Sequence, residues 1–246
     1  MADTGNTRPR MGVMLLDTRF KRPAGDIGNA ETFGGRVLFE TVQAASIDRV
    51  LRGDPRDPAL GVAFRAARDR LVARGAGMIT TSCGLLVFQQ HQLETGCPVP
   101  VTTSSLFQVP LRIAQHGKVG IVGLLDGSIT QDHLAAAGIP ADTPVGALAD
   151  DAHLLDVLRA DDPDRAIDPA LAEADLIAAG RRLTARRPDL RAIVLECTNL
   201  PPYGPALTRA LGLPVYGFLD WLGAVDQGLA RPDGRLPDAR TTEIAQ

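Results

Sequence analysis

The sequence contains little cysteine, no excess of positive charge and no long apolar run, and each shortage excludes a class of protein. Three cysteines among 246 residues are too few for a disulfide framework, and their odd number leaves at least one thiol free. No Cys-x-x-Cys and no His/Cys ligand spacing occurs. The sequence therefore predicts neither a metal site nor a redox motif.

Charge and hydrophobicity limit the classes of molecule that this protein is expected to bind. The formal net charge is -3, with Lys and Arg interspersed among acids, so no basic surface for nucleic acid or anionic lipid is expected. The apolar run at 11–16 is too short for a signal-peptide core or a membrane span, which favours a cytoplasmic protein. At 45% hydrophobic the chain can bury a substantial core. A small-molecule ligand is the expected partner, not nucleic acid or a membrane.

Two stretches, 76–84 and 191–199, share one pattern: an apolar run ends on a cysteine that small or polar residues follow. Each pattern predicts a buried strand that delivers a thiol to a loop. Because ligands bind beyond the carboxyl ends of parallel strands, we expect Cys83 and Cys197 to face one cleft as a catalytic acid/base pair. The alternative is that both are inert, since free cysteine is often buried. Cys97, in a turn, is expected to be such a packed residue.

The first half of the chain offers several candidate contacts for a substrate carboxylate. A strand at 12–17 ends on Asp17, and the loop after it carries Arg19; both are predicted to bind substrate, although a solvated loop is the alternative. A helix is predicted over 58–74, and another is predicted to begin at Cys83, where its N–H groups would lower the thiol pKa. The strand predicted at 99–102 leads to two further candidates. Thr103 and Ser104 would bind a carboxylate or cap the next helix.

The second half is predicted to restart the same layout with a strand at 117–125. An acidic stretch, 150–164, is expected to be a solvated helix and loop, and 169–187 a strong amphipathic helix. Strand alternation predicts that Glu196 faces away from the cysteine that follows it. A last strand is predicted at 215–220, and the end of segment 231–246 is expected to be mobile.

The predicted fold class is α/β, with two similar doubly wound parallel-sheet domains related by a pseudo-twofold axis and a cleft between them. The first domain is assigned to 1–116 plus 219–246, and the second to 117–218. Cysteines at two strand ends, the second as Cys197-Thr198 with a polar residue after it, resemble the aspartate/glutamate racemase superfamily, which includes hydantoin racemases, maleate isomerases and arylmalonate decarboxylases. In the glutamate and aspartate racemases Asn-Thr follows the first cysteine and Thr-His or Thr-Glu the second. Here Gly84-Leu85 and Thr198-Asn199 take those places.

The resemblance implies an active site between two α/β domains, no cofactor, and often a homo-oligomer. Together with the residues it predicts a racemase or epimerase of an amino acid or a hydantoin, an isomerase in which the two cysteines exchange protons on opposite faces of the substrate. Donors to the substrate carboxylate are expected from Ser82, Gly84, Thr198 and Asn199. Two alternatives stay open. One is a decarboxylase or cis-trans isomerase of a small dicarboxylate, and the other is a two-lobed module that binds a carboxylate without turnover.

Overall fold

A computed structural model describes residues 10–52, 54 and 56–234 of the chain. It is an α/β structure in which every strand pairing is parallel among these residues, so the predicted class is confirmed. The predicted polar N-terminal arm and the predicted mobile C-terminal end fall largely outside the described residues.

The first sheet has three strands in the order β2-β1-β3. Its strands are β1 (Arg10–Leu16), β2 (Val37–Val42) and β3 (Ala76–Thr81). The helices between and after them are α1 (Ile47–Arg52), α2 (Pro58–Ala73), α3 (Gln90–Glu94) and α4 (Val109–His116), with short 3-10 helices at Ala30–Phe33, Leu86–Gln89 and Ser105–Gln108. Since β1 is central, the loop that follows it opens at the middle of the sheet.

The second sheet has four strands in the order β5-β4-β6-β7. Its strands are β4 (Val119–Gly123), β5 (Val145–Ala147), β6 (Ala192–Leu195) and β7 (Val215–Tyr216). Its helices are α5 (Gln131–Ala136), α6 (His153–Ala160), α7 (Pro169–Arg186), a 3-10 helix at Pro201–Tyr203, and α8 (Gly204–Leu211), and α9 (Phe218–Asp226) follows β7. The proposed domain boundaries separate these two sheets, but the boundaries themselves stay a prediction.

Local sequence signals account for the two longest helices. Asp57 and Asp168 cap α2 and α7 by accepting backbone N–H groups of the first turn, and each is followed by a proline whose missing N–H costs nothing there. The buried face of α7 repeats at helical spacing, for example at Leu176 and Leu183. Both helices lie where the sequence predicts them.

Several local predictions are wrong. Residues 99–102 form no strand, only an isolated bridge from Val101 to Ile79. The chain turns after Cys83 and enters a 3-10 helix at Leu86, so no helix begins at the cysteine. The stretch 150–164 contains α6, whose face with Leu154, Leu155, Val157 and Leu158 is buried and not solvated. The last strand stops at Tyr216, because Gly217 donates its N–H to Asp220 and so caps α9.

Buried side chains form two hydrophobic clusters: the larger contains the first sheet and one face of the second sheet, with Ile121 and Val194, and the smaller covers the other face of the second sheet, with Val122 and Ile193. Trp221 of α9 is fully buried in the first cluster and donates its indole N–H to the hydroxyl of Thr102 at 2.7 Å. Helix α9 therefore packs against the segment that follows β3 as well as against β7. Among the described helices, none combines the length and the apolar character that a bilayer crossing requires.

Candidate active site

A cavity of about 390 Å³ lies at the carboxyl ends of the central strands of both sheets. It is lined by the loops after β1, β3, β4 and β6 and by one face of α6. The residues that carry its chemistry are Asp17, Arg22, Ser82, Cys83, Gly84, Ser128, Arg159, Asp161, Glu196, Cys197 and Asn199, and its apolar wall includes Leu16, Phe20, Ile47, Leu85, Leu124, Leu125, Leu155 and Leu158. Both predicted catalytic cysteines thus border one space of the size that small ligands occupy.

Buried hydrogen bonds tie the two cysteine loops together. Thr198 donates its hydroxyl proton to the carbonyl oxygen of Ser82 at 2.7 Å, and the Ser82 hydroxyl accepts the N–H of Leu16 at 2.9 Å. Ser105 bridges from the first half to the carbonyl oxygen of Leu195 at 2.5 Å. These bonds hold the ends of β1, β3 and β6 in one arrangement, which places the two thiols on the same cavity.

The thiol of Cys197 lies at the end of a polar chain. It donates to Oδ1 of Asn199 at 3.4 Å, and Nδ2 of Asn199 donates to Oδ2 of Asp26 at 2.6 Å. Asp26 in turn pairs with Arg22 at 3.0 Å. The Arg22 guanidinium also lies 4.5 Å from the centroid of the Phe20 ring. The position of Asn199 is therefore set by a buried ion pair from the loop after β1.

Arg22 is a functional candidate that the sequence prediction missed. Its side chain is 9% exposed and borders the cavity, and its NH2 group donates to the hydroxyl of Thr18 at 3.0 Å. Arg19, which was predicted instead, is 71% exposed and lies 3.8 Å from Asp161, outside the cavity lining. No local sequence signal distinguishes Arg22 from Arg19, because the pairing of Arg22 with Asp26 arises within an irregular loop.

Some of the other predicted substrate contacts line the cavity and some do not. Asp17, Ser82, Gly84 and Asn199 line the cavity. Thr198 is fully buried in its bond to Ser82 and does not line the cavity.

The hydroxyl cluster after residue 101 is also used within the fold. Thr103 donates both its N–H and its hydroxyl proton to Oε1 of Gln90, each at 3.0 Å. The Ser104 hydroxyl accepts the N–H of Leu106 and so caps the following 3-10 helix. Both side chains are fully buried outside the cavity lining, so the capping alternative applies to Ser104. Cys97 also lies outside that lining.

Glu196 does not face away from Cys197, contrary to the prediction. Strand β6 ends at Leu195, so the alternation of side chains stops before Glu196, and both Glu196 and Cys197 border the cavity. The Glu196 side chain packs against Gly84, where an added Cβ would lie under 3.0 Å from Oε1. Glycine at 84 therefore leaves room for a buried carboxyl group beside the first cysteine.

Burial dominates the electrostatics of this site. It raises the pKa of Cys83 to about 12, with a further contribution from Glu196, while the N–H of Leu85 and the charge of Arg22 act to lower it. The pKa of Cys197 is raised well above its ordinary value by burial and then by Glu196, and the N–H of Asn199 opposes this. Burial alone raises the pKa of Glu196 to about 8. Burial therefore favours the neutral form of all three groups.

Comparison with known proteins bears on both fold and chemistry. No protein-family model matches the chain. A dimethylsulfoniopropionate lyase of Durusdinium sp. clade D is 26% identical over 215 residues, which cover 84% of this chain and 70% of that protein. Dimethylsulfoniopropionate lyase 5 of Emiliania huxleyi (strain CCMP1516) is 27% identical over 239 residues, which cover 89% of this chain but 44% of the lyase. The chain thus spans less than half the length of this second relative.

Solved structures show the fold. Allantoin racemase from Klebsiella pneumoniae superposes with a TM-score of 0.59 at 16% identity, covering 93% of this chain and 94% of the racemase. Unliganded arylmalonate decarboxylase superposes with a TM-score of 0.56 at 16% identity, covering 89% of this chain and 93% of the decarboxylase. The chain therefore has the fold of the aspartate/glutamate/hydantoin racemase superfamily, as the cysteine pattern indicated.

The reaction predicted from that fold is wrong. The relatives found by sequence are lyases, so a racemase or epimerase, and with it the isomerase class, is not supported. Of the alternatives, decarboxylation is nearer, since it also removes a group from the substrate, but a lyase of a sulfonium compound breaks a different bond. Two strand-end thiols predict proton transfer next to a carboxylate. They do not predict what the resulting carbanion does.

Proposed function

We propose that this protein is a lyase that removes a proton α to a carboxylate and expels a sulfonium group from the β carbon, with dimethylsulfoniopropionate as the model substrate. The observation that carries the proposal is the placement of Cys83 and Cys197 on one cavity. Relatives named for this reaction are about a quarter identical to this chain over more than four fifths of its length. Substrate and activity are both part of the proposal.

The elimination follows from the chemistry of the substrate. A thiolate takes the proton from Cα, and the electron pair of that C–H bond forms the Cα=Cβ double bond. The Cβ–S bond breaks at the same time, and its electron pair stays on sulfur as neutral dimethyl sulfide. Acrylate and one proton, held by the enzyme, complete the balance. The same first step in a racemase ends in reprotonation, because its substrate carries no leaving group at Cβ.

Arg22 is our candidate for binding the substrate carboxylate. It is the buried cation of the cavity lining, and its stacking on Phe20 and pairing with Asp26 hold the guanidinium plane in place. A fixed guanidinium can bind a carboxylate with directed hydrogen bonds and stabilise the negative charge that grows as the α-proton leaves. Asn199, held by Asp26, supports the same end of the cavity.

The apolar wall suits the leaving group. Leu124 and Leu125 after β4, and Leu155 and Leu158 of α6, give the cavity a hydrocarbon surface that can contact two methyl groups. Asp17 brings a carboxylate to the same cavity and can face the sulfonium charge before it is lost. A zwitterionic substrate would thus find a cationic and an anionic contact with an apolar wall between them.

The test is a direct assay with matched thiol variants. Purified protein is mixed with dimethylsulfoniopropionate, and dimethyl sulfide in the headspace and acrylate in solution are measured together. We expect equal amounts of both, a loss of about 10²-fold or more for Cys83→Ser or Cys197→Ser, and the wild-type rate for Cys97→Ser, whose thiol lies outside the cavity.

Three results would contradict the proposal. Carbon dioxide from a substituted malonate, with no dimethyl sulfide, would indicate a decarboxylase. Fumarate from maleate would indicate a cis-trans isomerase. Binding of the sulfonium compound by the double cysteine variant, with no product from wild type, would indicate a binding module.

A further inference from the structure

Asp161, directly after α6, has an unusual backbone conformation. Its φ of 46° and ψ of 36° lie in the left-handed region, and among the described residues it is the one residue other than glycine with a positive φ. Residues with a Cβ are uncommon there and are held by their surroundings. Helix capping does not need an aspartate, because the N–H of Asp161 donates to the carbonyl oxygen of Val157 at 3.2 Å, and glycine would form this bond at lower cost. The explanation must therefore lie in the contacts of the Asp161 side chain.

The carboxylate of Asp161 holds the loop that follows β1. Its Oδ1 accepts the backbone N–H of Arg19 at 2.6 Å and that of Phe20 at 3.1 Å. Two successive backbone N–H groups can bind one anionic group, and here that group belongs to the protein itself. Because β1 belongs to the first sheet and α6 packs on the second, these bonds join the two halves of the chain at the wall of the cavity.

The loop held in this way contains the candidate carboxylate-binding group. Phe20 is 6% exposed and belongs to the smaller hydrophobic cluster, together with Leu155 and Leu158 of α6. The guanidinium carbon of Arg22 lies 4.5 Å from the centroid of its ring. Apolar packing is not directional, whereas hydrogen bonds are, so the bonds to Asp161 determine where the backbone places this ring. They therefore determine the surface on which Arg22 stacks.

A separate set of bonds connects Arg22 to the thiol end of the cavity. Asp26 pairs with the guanidinium and accepts Nδ2 of Asn199, and Oδ1 of Asn199 accepts the thiol of Cys197. None of these bonds involves Asp161. Removing the Asp161 carboxylate should therefore disturb the stacking of Arg22 and leave the surroundings of the thiol in place.

We propose that Asp161 is a positioning residue for the substrate-binding end of the cavity. Its carboxylate holds the loop after β1 against the end of α6, and this keeps Phe20 and Arg22 in the arrangement that binds the substrate carboxylate. The proposal rests on the proposed lyase function for the identity of the substrate. Loss of the carboxylate should weaken substrate binding much more than it slows the chemical step.

Three variants separate the carboxylate from the backbone conformation. Asp161→Gly keeps the left-handed conformation without steric cost but removes the hydrogen-bond acceptor. Asp161→Asn keeps both, since asparagine adopts this conformation readily and its Oδ1 accepts hydrogen bonds. The matched control is Asp164→Gly, which removes a carboxylate from an exposed position of the same loop, outside the cavity lining.

Modification by phenylglyoxal tests the arrangement without any lyase activity. The reagent attacks accessible guanidinium groups, and peptide mass spectrometry compares Arg22 with Arg181 on the exposed face of α7. Arg22 is 9% exposed, so it should react slowly in wild type. In Asp161→Gly its relative rate should rise about tenfold or more, as expected when hydrogen bonds to a charged acceptor are lost. In Asp161→Asn and in the control it should stay within about twofold of wild type.

Steady-state kinetics distinguish positioning from a general defect. In the lyase assay Asp161→Gly should raise KM about tenfold with kcat within about threefold of wild type, the pattern of a lost binding contact. Asp161→Asn should restore KM, and the control should not change it. A general defect would lower kcat in Asp161→Gly without this restoration.

The outcomes separate the two proposals. Unchanged modification of Arg22 in Asp161→Gly overturns the role of Asp161 even if dimethyl sulfide is formed, and so does a lower kcat with unchanged KM. Faster modification in Asp161→Gly that Asp161→Asn restores supports the role, even if wild type forms no dimethyl sulfide and the lyase proposal fails. If Asp161→Gly does not fold, hydrogen exchange of the Arg19 and Phe20 amides decides. Exchange in wild type as fast as in an unstructured peptide overturns the role, and slow exchange that Asp161→Asn keeps supports it.

Discussion

Replacing Gly84 with alanine tests the close packing on which the site is built. An added Cβ would lie under 3.0 Å from both the carbonyl oxygen and Oε1 of Glu196. The side chain can rotate away, but the carbonyl oxygen belongs to the backbone at the end of β6 and cannot. Overpacking of this kind costs about 1–3 kcal/mol. In a chain of this length each kcal/mol lowers Tm by about 2–4 °C, so a fall of about 2–12 °C is expected.

The effect on activity should be larger than the effect on stability. Relief of the clash moves the Cys83 loop away from Glu196, and a displacement of about 1 Å at a reacting group can cost about 10²-fold in rate. Thermal denaturation followed by circular dichroism, together with release of dimethyl sulfide, measures both effects. The control is Gly223→Ala in α9, where an added Cβ meets only Nε2 of Gln227 at 3.8 Å. If Gly84→Ala matches wild type in both Tm and rate, the packing argument is refuted.

Three further perturbations follow from individual contacts. The carboxyl of Glu196 has an ordinary pKa of 4.5 and a pKa of about 8 when folded, so the folded state binds more protons between these values. The free energy of unfolding should fall by roughly 4 kcal/mol from pH 4.5 to pH 8 relative to Glu196→Gln, and parallel urea titrations that show no such divergence would contradict the burial argument. Arg22→Lys should raise KM about tenfold with a smaller change in kcat, because an ammonium group cannot keep both the stacking on Phe20 and the pairing with Asp26. An unchanged KM in steady-state assays would show that Arg22 does not bind the substrate. Trp221→Phe should lose the buried bond to Thr102 and about 1–2 kcal/mol of stability in urea unfolding, with the rate unchanged.

Much of the fold could be predicted from the sequence because its signals are local. An aspartate followed by proline starts α2 and α7, and the apolar faces that follow have helical spacing. Apolar runs that end on Cys83 and Cys197 identified the two strands beside the cavity. The prediction of a strand at 99–102 was wrong because strand formation there depends on non-local pairing. Only a single bridge, at Val101, forms there, and the sequence of the segment does not indicate whether a neighbouring strand pairs with it.

The identity of the polar groups in the cavity was decided by tertiary structure. Arg19 and Arg22 are both arginines of one loop, and only packing against Phe20 and Asp26 turns the second inward. Glu196 faces the cavity because β6 ends at Leu195, two residues before the cysteine on which the predicted strand ended.

The sequence by itself was enough to identify the two strand-end thiols and to predict the α/β fold, whereas proton transfer beside a carboxylate stays a proposal. Only the tertiary structure decided which charges share the cavity with those thiols, because burial and contacts over long separations determine which side chains turn inward. The reaction class depends on one further factor, the leaving group at Cβ of the substrate. The same pair of thiols can invert a stereocentre or complete an elimination, since both reactions begin by breaking the same C–H bond.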